Sequence, residues 1–283
     1  MEGSKKIAIV GTGLIGGSLA LRLRDLKIAS VIYGVESNPQ HAAIAVQTGM
    51  VDEILPLEKA IAAAEIIIVA IPVDTTVSLL PLILDQVTNQ IVFDVGSTKL
   101  QVANCVKDHP RRKRYVATHP MWGTENSGPT AALPTAFEHK AVVLCEKEAS
   151  ATDALRWVEQ MYQAIGMHLL YMSAADHDLH AAYVSHISHI TSFALANTVL
   201  AKEKEGNAIF EMASGGFEST VRLAKSNAAM WVPIFLQNKT MVLDVLEEHI
   251  DQLQRFKQQL QLNDGDGMKQ FIQEANQIAR VLK

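Results

Sequence analysis

Cysteine is scarce in this sequence: Cys105 and Cys145 stand forty positions apart, with no C-x-x-C spacing. That argues against a disulfide framework or a cysteine zinc site, and it fits a reducing cytoplasm. Long hydrophobic runs are missing as well. The longest unbroken aliphatic stretch, Ile66 to Ile71, falls far below the ~20 residues a membrane-spanning helix requires. The amino-terminal residues enter an apolar strand almost at once, without the apolar stretch and small-residue cleavage site of a signal peptide. Nor is positive charge in excess. Against 25 Lys and Arg stand 30 Asp and Glu, a net charge of −5, so nucleic acid finds no electrostatic footprint. The one basic run, Arg111-Arg112-Lys113-Arg114 beside Pro110, reads as a solvated turn. A cytoplasmic protein with no membrane or nucleic-acid partner is expected.

What is present is an ordinary apolar fraction, 48% of 283 residues, enough to bury a core in one large domain or two smaller ones. The first half alternates β-branched runs with helical patterns. Strands are expected at Lys6–Val10, Val31–Val35, Ile66–Ala70, Ile91–Val95, Tyr115–Thr118, Lys140–Cys145 and His168–Tyr171. Ile66-Ile67-Ile68-Val69-Ala70 is apolar on both faces, as in a parallel sheet covered by helices on each side. Helices are expected at Leu14–Leu26, Pro39–Gln47 (Asn38 as N-cap) and Thr152–Ile165. This rhythm predicts a doubly wound α/β domain of the Rossmann type. After Ser173, whose spacing to Asp176 reads as a capping box, only helical periodicity remains. Helices are expected at Ala174–Lys204, Ala208–Met212, Phe217–Ala224, Asn227–Gln261 interrupted by Pro233, and Gly267–Leu282. The expected division is residues 1–173 as a nucleotide-binding domain and 174–283 as an all-α domain.

Gly11-Thr12-Gly13-Leu14-Ile15-Gly16 matches G-x-G-x-x-G between a strand and a helix, which is the context a dinucleotide site demands. Gly11 permits the turn, Gly13 lets a pyrophosphate approach the backbone, and Gly16 allows close helix–strand packing. Glu36 ends the second strand, twenty residues after Gly16. Its carboxylate suits the ribose hydroxyls and repels a 2′-phosphate, and no Arg or Lys follows it closely. NAD is therefore expected over NADP.

Two loops leave strands toward the crevice where this architecture binds ligands. One carries Thr118-His119-Pro120-Met121-Trp122-Gly123, the other Asp94-Val95-Gly96-Ser97-Thr98-Lys99. Ser97 is placed to fix the tautomer and orientation of His119. In the helical half, His177, His180, His186 and His189 crowd thirteen residues. At ~100° per residue His177 and His186 fall on opposite sides of one helix, as do His180 and His189, so no shared metal is expected. His186 shares a stripe with Ile190 and Phe193 and faces protein or the cleft.

With these segments in view, the chain resembles the prephenate/arogenate dehydrogenases of tyrosine biosynthesis over nearly its whole length. The resemblance is carried by residues 11–18, Ala70-Ile71-Pro72-Val73, residues 94–99, the His119 segment, Asp176-His177-Asp178, Ser185-His186-Ile187-Ser188-His189, Gly215-Gly216-Phe217 and Arg222 through Trp231. It implies a helical dimerisation domain, NAD as cofactor, prephenate as substrate and a homodimer. Gly11, Gly13, Leu14, Ile15, Gly16, Glu36, Ile71 and Pro72 would then hold the cofactor, and His119 would contact the substrate ring hydroxyl with Ser97 orienting it. His189 and Arg222 would hold substrate carboxylate, with His186, Glu125 and Trp231 bordering the site and Trp231 a candidate contribution from the partner subunit. Ser219 stands where some relatives carry an acidic residue, and Ser188 where many carry Pro. Arogenate dehydrogenase or a dual-specificity enzyme is the near alternative. A dinucleotide-sensing regulator would not need Ser97, His119 and Arg222 together. A β-hydroxyacid dehydrogenase would need a helical lysine that neither Lys99 nor Lys225 supplies.

Overall fold

The computed structural model describes residues 3–206 and 210–281. Strands β1 (Lys5–Val10), β2 (Ala29–Val35), β3 (Glu53–Ile54), β4 (Ile66–Val69), β5 (Ile91–Asp94), β6 (Tyr115–Pro120), β7 (Ala141–Cys145) and β8 (His168–Met172) form one sheet. Their order is β3-β2-β1-β4-β5-β6-β7-β8. The sheet's central strands are buried on both faces with a period of two. Ile7, Ile9, Ile66, Ile68 and Phe93 join one core cluster, while Ala8, Val10, Ile67, Val69 and Val92 join the other. Helices α1 (Leu14–Asp25), α2 (Pro39–Gln47), α3 (Leu57–Ala63), α4 (Val73–Gln86), α5 (Leu100–Cys105) and α6 (Thr152–Ile165) complete the α/β layer. Asn38 caps α2 as expected, its Oδ1 accepting from the backbone N–H of Gln40 and His41. Because β1 is flanked by β2 and β4, the strand order reverses beside it, which opens a crevice at the carboxyl ends of the strands.

Several local expectations are corrected. β7 runs antiparallel to β6, because the connection between them carries no crossover helix, only a short 3-10 turn at Pro129–Ala131. That pairing extends β6 to Pro120, so His119 lies on the strand opposite Val143 rather than in the loop after it. Strand β3 is two residues long, too short for alternation to reveal. The basic run is not simply solvated: Arg112 is buried, donating from Nη1 to the Tyr115 carbonyl at 2.7 Å, and Arg114 pairs with Asp153.

From Ser173 the chain is helical: α7 (Ala174–Ala181), a π turn (Ala182–His186), α8 (Ile187–Gly206), α9 (Gly215–Val221), a 3-10 turn (Arg222–Lys225) and α10 (Ala228–Gln237). Ser173 caps α7 by accepting from the Asp176 N–H, but the Asp176 carboxylate takes the Ser173 hydroxyl rather than its backbone N–H. Pro233 sits inside α10 without ending it. The break falls at Asn238, whose backbone leaves the helix while its side chain is tied to Asp178 and His186. The expected helix at Ala208–Met212 begins outside the described residues, and Phe210–Met212 is a single 3-10 turn. By internal packing the chain divides into two compact units, one ending at Asn238 and one beginning at Lys239. The second holds α11 (Lys239–Gln261) and α12 (Gly265–Ala275), joined by a Phe256–Phe271 ring contact and an Arg255–Glu274 ion pair. Among the described residues no helix is long and apolar enough to cross a membrane.

Candidate active site

The glycine-rich turn has the geometry its spacing predicts. Gly11 holds φ +93° against β4, and a Cβ there would strike the Ala70 carbonyl. A Cβ on Gly16 would collide with the Gly11 carbonyl oxygen, so α1 could not sit this close to β1 with any side chain there. At Gly13 a Cβ would meet nothing within 4 Å: the position faces open space. Among the described residues no side chain caps α1, so its first-turn N–H groups remain available to an anion. Glu36 is pinned at the end of β2. Its Oε2 accepts from Thr12 N and Oγ1, each at 3.1 Å, and its Oε1 from Asn38 N at 3.0 Å. The turn, the uncapped helix and the fixed carboxylate together fit a dinucleotide.

A cleft of about 620 Å³ joins this turn to the expected chemistry. Gly13, Leu14 and Ile15 line one side, with Ile71, Pro72 and Ser97 beside them; His119, His186, His189, Arg222 and Trp231 line the rest. A second hollow lies at the amino ends of β1, β4 and β5, but its charged walls are already paired as Lys5–Glu65 and Arg114–Asp153.

His119 meets a histidine from the helical half. Its Nδ1 lies 2.8 Å from His177 Nε2, and His177 Nδ1 lies 2.8 Å from Asp178 Oδ1. Ser97 lines the same cleft, but among the described residues no hydrogen bond joins it to His119. Asp178 also accepts from the backbone N–H groups of Lys99 and Leu100 at 2.7 and 2.9 Å. Behind them Lys99 is fully buried in an ion pair with Asp94, which also takes the Tyr115 hydroxyl. Among the described residues Lys99 is not part of the cleft lining. Burial pushes His119 well below the ordinary imidazole value, with His177, Lys99 and His186 adding in the same direction. Burial lowers His177 too, against the opposing pull of Asp178.

The helical half converges on the cleft because α7 and α8 are not one regular helix. The π turn at Ala182–His186 takes in roughly one extra residue and so rotates the downstream helix by about 100°. The opposite-sides arithmetic for His177 and His186 therefore fails, and the two are near enough to perturb each other. His186 Nδ1 meets the Asn238 amide at 3.2 Å, and burial lowers the pKa of His186 to about 4. His189 stacks on Trp231 with ring centroids 3.5 Å apart, and burial lowers its pKa also. Trp231 thus lines the cleft of its own chain, and among the described residues its buried indole N–H meets no hydrogen-bond partner. Arg222 donates to Glu125 Oε2 at 2.8 Å, so Ser219 in place of an acidic residue does not prevent that pair. The Glu125 carboxyl is held below its usual range by its own backbone N–H and by the Arg222 guanidinium.

Sequence reasoning missed His177, Asp178 and Asn238 as parts of the site. His177 is weighed there only as a metal ligand and named only within a matching segment, and Asn238 falls inside the helix expected at Asn227–Gln261, whose interruption is placed at Pro233. The available signal was the adjacency of His177 and Asp178, an imidazole next to its own carboxylate.

Comparison with known proteins gives a consistent result. A family profile described as "Prephenate dehydrogenase, nucleotide-binding domain" matches residues 19–171, and one described as "Prephenate dehydrogenase, dimerization domain" matches residues 173–281. The prephenate dehydrogenase of A. aeolicus, solved in complex with hydroxyphenyl propionate and NAD+, is 28% identical with a TM-score of 0.89; the match covers 99% of this chain and 98% of that one. The arogenate dehydrogenase of Synechocystis is 25% identical with a TM-score of 0.79, over 98% of this chain and 100% of that one. A cyclohexadienyl dehydrogenase of Zymomonas mobilis is 28% identical over 290 aligned positions, 99% of this chain and 96% of the relative.

Proposed function

This chain belongs to the prephenate dehydrogenase family, and from that premise we propose that it carries out the NAD-dependent oxidative decarboxylation of prephenate to 4-hydroxyphenylpyruvate. The observation that carries the reading is the placing of His119, His189 and Arg222 along one cleft with the uncapped amino end of α1. Gly11, Gly13, Gly16 and the first N–H groups of α1, at Leu14 and Ile15, would cradle the pyrophosphate; Glu36 would hold the adenine ribose, and Ile71 and Pro72 would flank the cofactor. The bound nicotinamide supplies the hydride acceptor.

His119 acts as the base. Its low proton affinity keeps it neutral near pH 7, so it takes the proton of the ring hydroxyl as hydride leaves the same carbon. The ring carboxylate departs as carbon dioxide; its bonding electrons complete the aromatic ring and pass to the carbonyl oxygen, which takes the proton back from His119 to give the phenol. Arg222 and His189 hold substrate carboxylate, Arg222 by leaving Glu125. That exchange is cheap, because the ion pair joins partly exposed side chains that water screens. The orphan indole N–H of Trp231 adds an unsatisfied donor, a cost of about 1–3 kcal/mol that a substrate acceptor would relieve. Residues 174–283 serve as the helical domain and carry the contact of a homodimer. The site of action is the cytoplasm, which suits two free cysteines.

Arogenate is the second reading, since relatives of similar identity are named for arogenate and cyclohexadienyl substrates. The test is NADH formation measured with prephenate and arogenate in parallel. Prephenate turnover with the higher kcat/KM is expected, a preference for arogenate selects the second reading, and turnover of neither refutes both. His119→Asn keeps a side chain of similar reach that cannot take the proton. It should lower kcat by about 10²–10⁴ with little change in substrate binding.

A further inference from the structure

We propose that His177, backed by Asp178, is the positioning residue that fixes His119 in its working tautomer and steadies the charge His119 takes up. The proposal rests on His119 being the base. The hydrogen bonds give the tautomer in three steps. An ionised carboxylate can only accept, and Asp178 Oδ1 lies 2.8 Å from His177 Nδ1, so that nitrogen carries a proton. A neutral His177 then presents Nε2 as an acceptor. The group facing it at 2.8 Å, His119 Nδ1, is therefore the donor, and a neutral His119 has no second proton to place on Nε2. The bare Nε2 is the lone pair the reaction needs. Were the relay absent, either nitrogen could hold the proton, and one of the two tautomers cannot act as a base at Nε2.

The fold holds this chain of groups rigidly. His177 and Asp178 are 2% and 1% exposed. Asp178 is clamped by the N–H groups of Lys99 and Leu100 from the segment after β5, and its carbonyl accepts from the Asn238 amide at 2.7 Å. The titratable and charged groups bearing on His177 are His119, Asp178, Lys99, Asp94 and His186. Burial and the Lys99 ammonium favour neutral His177, and the Asp178 carboxylate fixes which nitrogen keeps the proton. When the substrate hydroxyl proton arrives on His119 Nε2, the Nδ1–H stays in place and its bond to His177 becomes charge-assisted, hence stronger. No other proton moves.

Two variants and one spectrum test this. His177→Phe removes the acceptor at similar volume, whereas His177→Gln keeps a carbonyl toward His119 and an amide toward Asp178. In two-bond ¹H–¹⁵N spectra of the substrate-free protein, wild-type His119 should carry its proton on Nδ1, and His177→Phe should show a tautomer mixture. That variant should lose kcat by about 10–100-fold with KM within about twofold, and His177→Gln should recover most of the loss and the wild-type tautomer. A wild-type spectrum with the His119 proton on Nε2 overturns the proposal, as does wild-type kcat in His177→Phe. Equal loss in both variants with the tautomer unchanged overturns it too, as a purely structural effect. If His177→Phe does not fold, the wild-type spectrum and His177→Gln decide. Full activity in His119→Asn would instead refute the base, a separate outcome, because the tautomer is read without turnover.

Discussion

Acidification should destabilise this protein well before its carboxylates titrate, and His186 gives the size of the effect. The ring is 1% exposed. It accepts from the Asn238 amide, with the rings of Trp231 and Phe235 packed edge-on at 5.9 and 6.3 Å. Burial, with His177 and His189 acting in the same direction, outweighs the opposing Asp178 carboxylate and brings its pKa to about 4. Unfolded, the same imidazole titrates near ~6.5. The folded state thus resists a proton that the unfolded state accepts. Its contribution is complete above the unfolded value and is lost as pH falls through the window between ~6.5 and about 4. At pH 5 this one group should cost about 2 kcal/mol relative to neutral pH, or roughly 4 °C in Tm for a chain of this size. His119, His177 and His189 are lowered as well and add in the same direction. The assay is Tm against pH for wild type and His186→Asn, whose carbonyl keeps an acceptor for Asn238. The variant should show a slope between pH 7 and 5 shallower by about that amount. Superimposable slopes would refute the reasoning.

Four further outcomes are expected. The acid limb of kcat/KM should fall below ~6.5, the ordinary imidazole value, because burial, with His177, Lys99 and His186 acting in the same direction, depresses His119; a limb above that value would contradict a base kept neutral by its surroundings. Glu36→Ser should weaken NAD and narrow its preference over NADP, by removing the carboxylate fixed by Thr12 and Asn38; equal wild-type affinity for both cofactors would contradict its role. Arg222→Ala should raise KM for prephenate by the equivalent of about 2–4 kcal/mol, with poor rescue by Arg222→Lys, whose ammonium lacks the planar fork; an unchanged KM in a folded variant would exclude the carboxylate contact. Sedimentation should find a dimer at micromolar concentration, since Val232 and Leu236 on α10 and Leu253 and Leu260 on α11 are all exposed apolar residues; a stable monomer would refute it.

The α/β half was legible because its signals are local. Ile66–Val69 is apolar throughout and buried throughout, Asn38-Pro39 starts a helix where capping chemistry says it should, and Gly11 and Gly16 sit where backbone must approach backbone. The antiparallel β7 and the two-residue β3 were not legible, since strand direction depends on the path of a loop and two residues have no periodicity. The helical half was read as regular where it is not. Periodicity assumes one angular step per residue, and a π turn is a departure from that step that leaves no compositional mark.

That departure is what decided the site. With a uniform step, His177 and His186 point apart, and His119 is left to find its orienting partner among nearby hydroxyls such as Ser97. With the π turn at Ala182–His186, the helix is re-aimed between its first and second pairs of histidines. His177 reaches back to β6 and His119, while His186 and His189 turn to the cleft beside Trp231. π turns inside α-helices recur at functional positions, and here the functional reason can be named. On the proposed mechanism, one helical segment would serve two directions, orienting the base from behind and holding substrate in front. Restoring a regular α-helix by deleting one residue of the π turn, for instance Tyr183, should therefore leave the nucleotide turn intact and abolish turnover. If that deletion variant folds, binds NAD as wild type does and keeps wild-type kcat, the re-aiming is not what builds this site.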